Sequence, residues 1–247
     1  MDSMMERLFS SIKRRASVRK FSASPVRDEF YDMKDFADEI SNDDVRIALL
    51  SQPEVFKGTI FSKSVTGTKT CAVIVAKEEE MIKAGYIGEV FALECVHRGL
   101  GTCWLGSTYK KSVVKQNVNL MHNERIACVI AFGQCPGSMF SANSDEKKTC
   151  EELTKMSEKQ FASLPEWQRT SVECMRLAPS ALNKQECRVE FTENDEIVLY
   201  AVSDNSGYCE IDCGIAMLHL ELGAGHEGVF GEWRITDEEC IFIPYDE

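Results

Sequence analysis

Three groups of residues in this 247-residue chain have types and spacings that could do chemistry. The first is Arg15, Ser17 and Arg19, set two apart in RASVRKFSASP. An extended chain repeats its facing every second residue, so these side chains form a polar comb about 13 Å long at ~3.3 Å per residue. A comb of this kind can hold a phosphate at one end and an electron-accepting ring at the other. Guanidinium groups bind phosphate through paired hydrogen bonds, and a serine hydroxyl adds a short-range contact. The second group is Gly99-Leu-Gly101-Thr-Cys-Trp104-Leu105-Gly106. It is not a dinucleotide fingerprint, which must follow a strand and open a helix, because this segment follows a helix. Glycines in that place let backbone N–H groups approach a flat ligand. The third is Ala178-Pro179-Ser180-Ala-Leu-Asn183-Lys-Gln185, several short polar side chains on a turn where a helix stops. Each has an ordinary reading when taken singly: solvated basic surface, a helix stop beside a packed tryptophan, and a capping turn.

The elements that must position these groups are legible from periodicity. Met5, Leu8, Phe9 and Ile12 mark a first helix ending in Lys13, Arg14 and Arg15, where cations favour the negative end of the dipole. A second helix is predicted over 29–40 and a buried strand over 71–76. The segment 86–97 reads as a helix apolar nearly all round, with Glu89 and Glu94 the exceptions, and so belongs at the centre of a domain. Gly99 is its stop. A short helix over 112–117 leads to a strand over 126–132, which ends in a GQCPGS turn. Residues 137–160 are polar and read as a crossing segment. Ser163-Leu-Pro-Glu166 reads as a capping box opening a helix that runs to Ala178. Strands follow at 188–192 and 197–202, a buried helix at 211–222, and strands at 229–235 and 240–243. Helix, strand, buried helix, strand occurs twice. This predicts an α+β fold of two related half-domains, 1–155 and 156–247.

Composition narrows the function classes. A chain of this length with 44% hydrophobic residues can hide roughly 70–75% of its unfolded surface and needs no disulfide or metal to fold. A net charge of −12 repels nucleic acid and anionic membranes. The exception is 1–27, where seven cations face two acids; this local +5 leaves −17 for the remainder. Eleven cysteines, without a CxxC pair or a secretory leader, read as reduced thiols in a cytoplasm, and no metal site is expected. No transmembrane span is predicted. Hydrolase readings fail, since neither Ser138 nor Ser180 lies in GxSxG and no motif ties His219 or His226 to either.

Together, RxSxR, a buried helix running into GLGTCWLG, and a helix ending in APSxxNxQ resemble the FMN-dependent nitroreductase family over most of the chain. The resemblance implies an α+β sandwich whose site in relatives lies between two protomers. Because the first two motifs fall only in the first half and the third only in the second, the chain is similar to single-chain members: a fused intramolecular pseudo-dimer with one flavin site, monomeric because the dimer is fused. Carried over residue by residue, the resemblance gives Arg15 and Ser17 to the FMN phosphate and ribityl end, and Arg19 to N1 and O2 of the ring. Leu105 and Gly106 offer backbone N–H groups near N5 and O4, and Trp104 lies beside the ring. Pro179, Ser180 and Asn183 close the pocket. Lys147 or Lys148 substitutes for a basic residue that relatives carry after a GxP-like turn. Glu186 and Cys187 replace the proline and aromatic that commonly follow the motif glutamine, here Gln185. The implied activity is ping-pong transfer from NADH or NADPH, with Arg19 and Gly106 at the reacting end, to a small flat acceptor such as a nitroaromatic or quinone. The alternative is a flavin-binding sensor or carrier without turnover.

Overall fold

The computed structural model describes residues 4–57, 65–136, 146–204, 206–236 and 238–245. The chain divides into two compact units, Arg14–Ala142, and Met1–Lys13 together with Asn143–Glu247.

In the unit of 14–142, helix α2 (Arg27–Ile40) precedes β1 (Val45–Ser51) and β2 (Thr70–Lys77). Helix α3 (Met81–His97), β3 (Leu100–Leu105), α4 (Lys111–Asn117) and β4 (Glu124–Gln134) follow. The strands form one antiparallel sheet in the order β1-β2-β4-β3. β2 is buried from Thr70 to Ala76 because both its faces are covered. Cys71, Val73 and Val75 join Val129, Ala131 and Leu105 against Val114 and Val118. On the other face, α3 packs so closely that a side chain at Gly88 would touch Ile74 and Trp104.

Residues 15–23 form an extended rib along β3 and β4. Val18 N–H donates to Thr102 O at 2.8 Å and Ser22 N–H to Gln134 O at 2.9 Å. Thr66 N–H donates to Arg19 O at 2.9 Å, while Phe21 N–H donates to Thr66 O at 2.8 Å. Gly101 is what permits this approach, since a Cβ there would run into Cys135 Sγ and Val18.

The other unit holds α1 (Met4–Ile12), α5 (Cys150–Thr154), α6 (Glu158–Ala162), α7 (Glu166–Arg176), β5 (Cys187–Phe191) and β6 (Ile197–Ala201). It ends in α8 (Cys209–His226), β7 (Gly231–Ile235) and β8 (Glu239–Pro244). Its sheet runs β5-β6-β8-β7, the same pattern as the first, with the long buried helix again between the second and third strands. The likeness extends to detail. α3 and α8 both end at a histidine followed two residues on by a glycine at φ +82°, Gly99 and Gly228. In each unit a tryptophan of the next strand donates its indole N–H to a glutamate of that helix: Trp104 to Glu89 at 2.7 Å and Trp233 to Glu221 at 2.9 Å. The chain is thus an α+β protein of two half-domains with one topology.

Several local expectations change. The GLGTCWLG segment is not a glycine loop but largely the strand β3, paired with β4 from Leu100↔Gln134 to Leu105↔Val129. The VRIALLS strand β1 had no counterpart in the periodicity reading. Of the crossing segment 137–160, residues 137–145 lie outside the described residues; the rest carries α5 and the start of α6, capped by Thr149 with Glu152 and Ser157 with Gln160. The capping box foreseen at Ser163 does not form. Ser163 Oγ donates to Gln160 O and closes α6, and Pro165 opens α7 with its fixed φ and no side-chain cap. Helix α1, though first in the chain, packs on α8, where Phe9 stacks on His226 with centroids 3.8 Å apart. Among the described residues, no helix is long and apolar enough to cross a membrane.

Candidate functional site

The rib of the first unit carries Ser17 and Arg19. Val18 and Phe21 are buried, Ser17 is exposed and Arg19 is half-buried, so burial along the rib repeats every third residue and not every second. Arg15 differs: it follows the turn after α1 and is only 4% exposed, with Nε 3.8 Å from Glu89 Oε1. Burial lowers the Arg15 pKa and the Glu89 carboxylate opposes that shift. Both Arg15 and Arg19 bear electrostatically on the buried Cys103 thiol, which burial nonetheless pushes up.

Two buried polar atoms along this rib, Arg15 Nε and Thr102 Oγ1, have no hydrogen-bond partner among the described residues. Orphaned buried donors are costly, which suits a place where a polar, anionic ligand completes the structure. The residues present therefore fit a phosphate-bearing cofactor. Beside them, Thr102 O is bonded to the rib on the edge of β3 away from β4. A strand turns alternate backbone groups to opposite edges, so Trp104 shares that outer edge, Leu105 ends the ladder opposite Val129, and Gly106 is the first residue past the sheet.

In the other unit, α7 stops at Leu177 and the APSALNKQ segment folds into a tight turn with a single 3-10 turn at Ala181–Asn183. Leu182, Asn183 and Gln185 all adopt positive φ, between 52° and 56°. Three left-handed non-glycine residues so close together need outside support. Ser180 Oγ accepts the Gln185 N–H at 3.0 Å. Lys147 Nζ donates to Ala178 O at 2.6 Å and to Asn183 Oδ1 at 3.1 Å. Lys148 Nζ donates to Gln185 O at 2.9 Å. Both lysines that sequence reasoning offered for the phosphate thus brace this turn. Asp212 of α8, 6% exposed, accepts the Ala181 N–H at 3.0 and 3.1 Å through its two oxygens. A cavity of about 20 Å³, room for one water, lies among Met175, Pro179, Ser180, Cys187, Asp212 and Ala216.

Burial pushes the Asp212 carboxyl up to about 7, helped by Glu186 and Asp204 and opposed by the Ala181 N–H and Lys147. The folded chain therefore holds this proton more tightly than the unfolded one. The resulting stabilisation is complete below the unfolded value near 4 and is lost as pH rises through 7. Asp212→Asn keeps an acceptor for Ala181 and removes the proton. Urea midpoints at pH 5 and pH 8 should differ by less in the variant than in the wild type; an equal difference would exclude Asp212 as the source.

Sequence reasoning missed Glu89 as a partner, Thr102, and Asp212. Only Glu89 carried a signal, as an acid in a helix otherwise apolar nearly all round. His219 is a satisfied core residue with Nδ1 2.9 Å from Cys174 O. Among the described residues, no group of three potential ligands could hold a metal ion.

The topology is that of the nitroreductase fold. A crystal structure described as a putative nitroreductase from Thermotoga maritima matches with a TM-score of 0.66 and 21% identity, covering 96% of this chain and 93% of that one. The chain belongs to the family described as "Putative TM nitroreductase", whose model matches residues 7–224. Shorter matches include an FMN-dependent nitroreductase from Clostridium difficile, at 16% identity and a TM-score of 0.43, covering 55% of this chain and 92% of that one. A nitroreductase with bound FMN from Desulfitobacterium hafniense matches at 12% identity and a TM-score of 0.44, covering 55% and 90%. No curated protein matches.

Proposed function

We propose that the protein is an FMN-dependent NAD(P)H oxidoreductase that reduces small flat acceptors such as nitroaromatics or quinones. Family membership supports the flavin class. The observation that carries the reading here is the pair of orphaned polar atoms, Arg15 Nε and Thr102 Oγ1, along the cationic rib. FMN, when bound, supplies an N5 that takes a hydride from NADH or NADPH and delivers it to the acceptor, the two substrates using one open pocket in turn.

This chain's residues bind and orient. Arg15 and Ser17 hold the phosphate and ribityl end, and Arg19 places a fixed positive charge at N1 and O2, where it needs no proton to act. Trp104 and the backbone N–H of Gly106 border the ring, while the Leu105 N–H, foreseen there too, turns to β4. Pro179, Ser180 and Asn183, on the turn that Lys147 braces, are the residues that the family resemblance gives to the flavin in this half. The protein works in the cytoplasm and needs no second copy.

Anaerobic NADH or NADPH should bleach the flavin absorbance of the FMN-loaded protein, and nitroaromatics or quinones should restore it. A protein that binds FMN yet consumes almost no nucleotide with any acceptor would instead be a sensor or carrier. The buried Glu186, at the position where the family resemblance implies a proline, favours that second reading.

A further inference from the structure

Glu89 is a carboxylate at 0% exposure on a helix whose residues are buried nearly all round. A buried carboxylate persists only when it is paired or hydrogen-bonded, and the two oxygens of Glu89 have different partners. Oε2 accepts the Trp104 indole N–H at 2.7 Å. Oε1 lies 3.8 Å from Arg15 Nε, beyond hydrogen-bond reach but within ion-pair range. The preceding residue completes a socket for the indole. A Cβ at Gly88 would sit 2.5 Å from Trp104 Cη2 and 3.1 Å from Cζ2, so any side chain there would push the ring out.

We propose that Glu89 is a positioning residue that locks the Trp104 indole on β3 to the Arg15 guanidinium on the rib, fixing their spacing for a ligand bound along both. The inference rests on the flavin reading for the identity of that ligand, not for the coupling itself. Removing one partner leaves a buried charge uncompensated, whereas removing both leaves an apolar gap, so the three side chains must act as a unit.

The test uses a Trp167→Phe/Trp233→Phe background, in which emission reports Trp104 alone. In the protein without FMN, Glu89→Gln keeps an acceptor for the indole and should leave the emission close to the parent's, whereas Glu89→Leu should shift it. Trp104→Phe and Arg15→Met should lower the melting temperature non-additively when Glu89 is present and additively in Glu89→Gln. With FMN, Glu89→Gln should bind about tenfold more weakly, the loss of one charge-assisted contact's worth of placement. If Glu89→Leu fails to fold, Glu89→Gln still decides. Additive effects with Glu89 in place, or wild-type FMN affinity in a stably folded Glu89→Gln, would overturn the proposal. Failure of the parent to bind FMN would remove the flavin reading alone, because the emission and melting cycles need no flavin.

Discussion

Arg19→Ala should retain part of its FMN affinity and slow flavin reduction by NADH or NADPH on the order of 10²-fold, the scale of losing one fixed electrostatic stabiliser. The rib should survive the change. Its course past Arg19 is set by backbone bonds, with Thr66 N–H on Arg19 O and Phe21 N–H on Thr66 O, and by the buried Val18 and Phe21 side chains. What disappears is a guanidinium on the half-buried side of the rib, near enough to Cys103 to act on its thiol. Arg19→Lys should recover part of the rate, because it restores a point charge without the planar fork. Rapid mixing under anaerobic conditions reads the reduction rate directly, and unchanged kinetics in Arg19→Ala would remove Arg19 from this role.

Phe91→Ala should cost about 3–5 kcal/mol of unfolding free energy, the range for emptying a large aromatic site in a packed core. Phe91 is 0% exposed on α3 and meets Phe132 of β4 edge-on, with centroids 5.5 Å apart at 81°. The pair ties the central helix to the sheet that also pairs with β3, so the cavity would open beneath the site's support. Neighbours held in a close-packed sheet cannot fill it by small shifts. Urea unfolding compares the two proteins; a loss below about 1 kcal/mol would mean that α3 is not seated on the sheet through this contact.

The sequence displayed the long buried helices well, because α3 and α8 are apolar on nearly every face and are each followed by a glycine stop. β1 and β3 were harder. VRIALLS is a short apolar run that fits strand or helix equally. In LGTCWL, Gly101 looks like loop composition, whereas it is there because Val18 and Cys135 leave no room for a Cβ. At the site, alternation predicted a common facing for Arg15, Ser17 and Arg19, whereas burial along the rib falls at Arg15, Val18 and Phe21, every third residue. It could not foretell that Arg15 turns inward, since that depends on Glu89, more than seventy residues away in the chain. The turn at Ser180 and Asn183 was visible as a motif, but its braces were not. Lys147 and Asp212 reach it from separate segments, and no local pattern records such contacts.

Equilibrium titration of the protein with FMN, followed by anaerobic addition of NADH, tests the central claim most directly. The account predicts that one FMN is held per chain, more weakly when Ser17 or Arg19 is replaced by alanine, and that its absorbance is bleached by NADH or NADPH. No saturable FMN binding, or binding indifferent to both replacements, would contradict it.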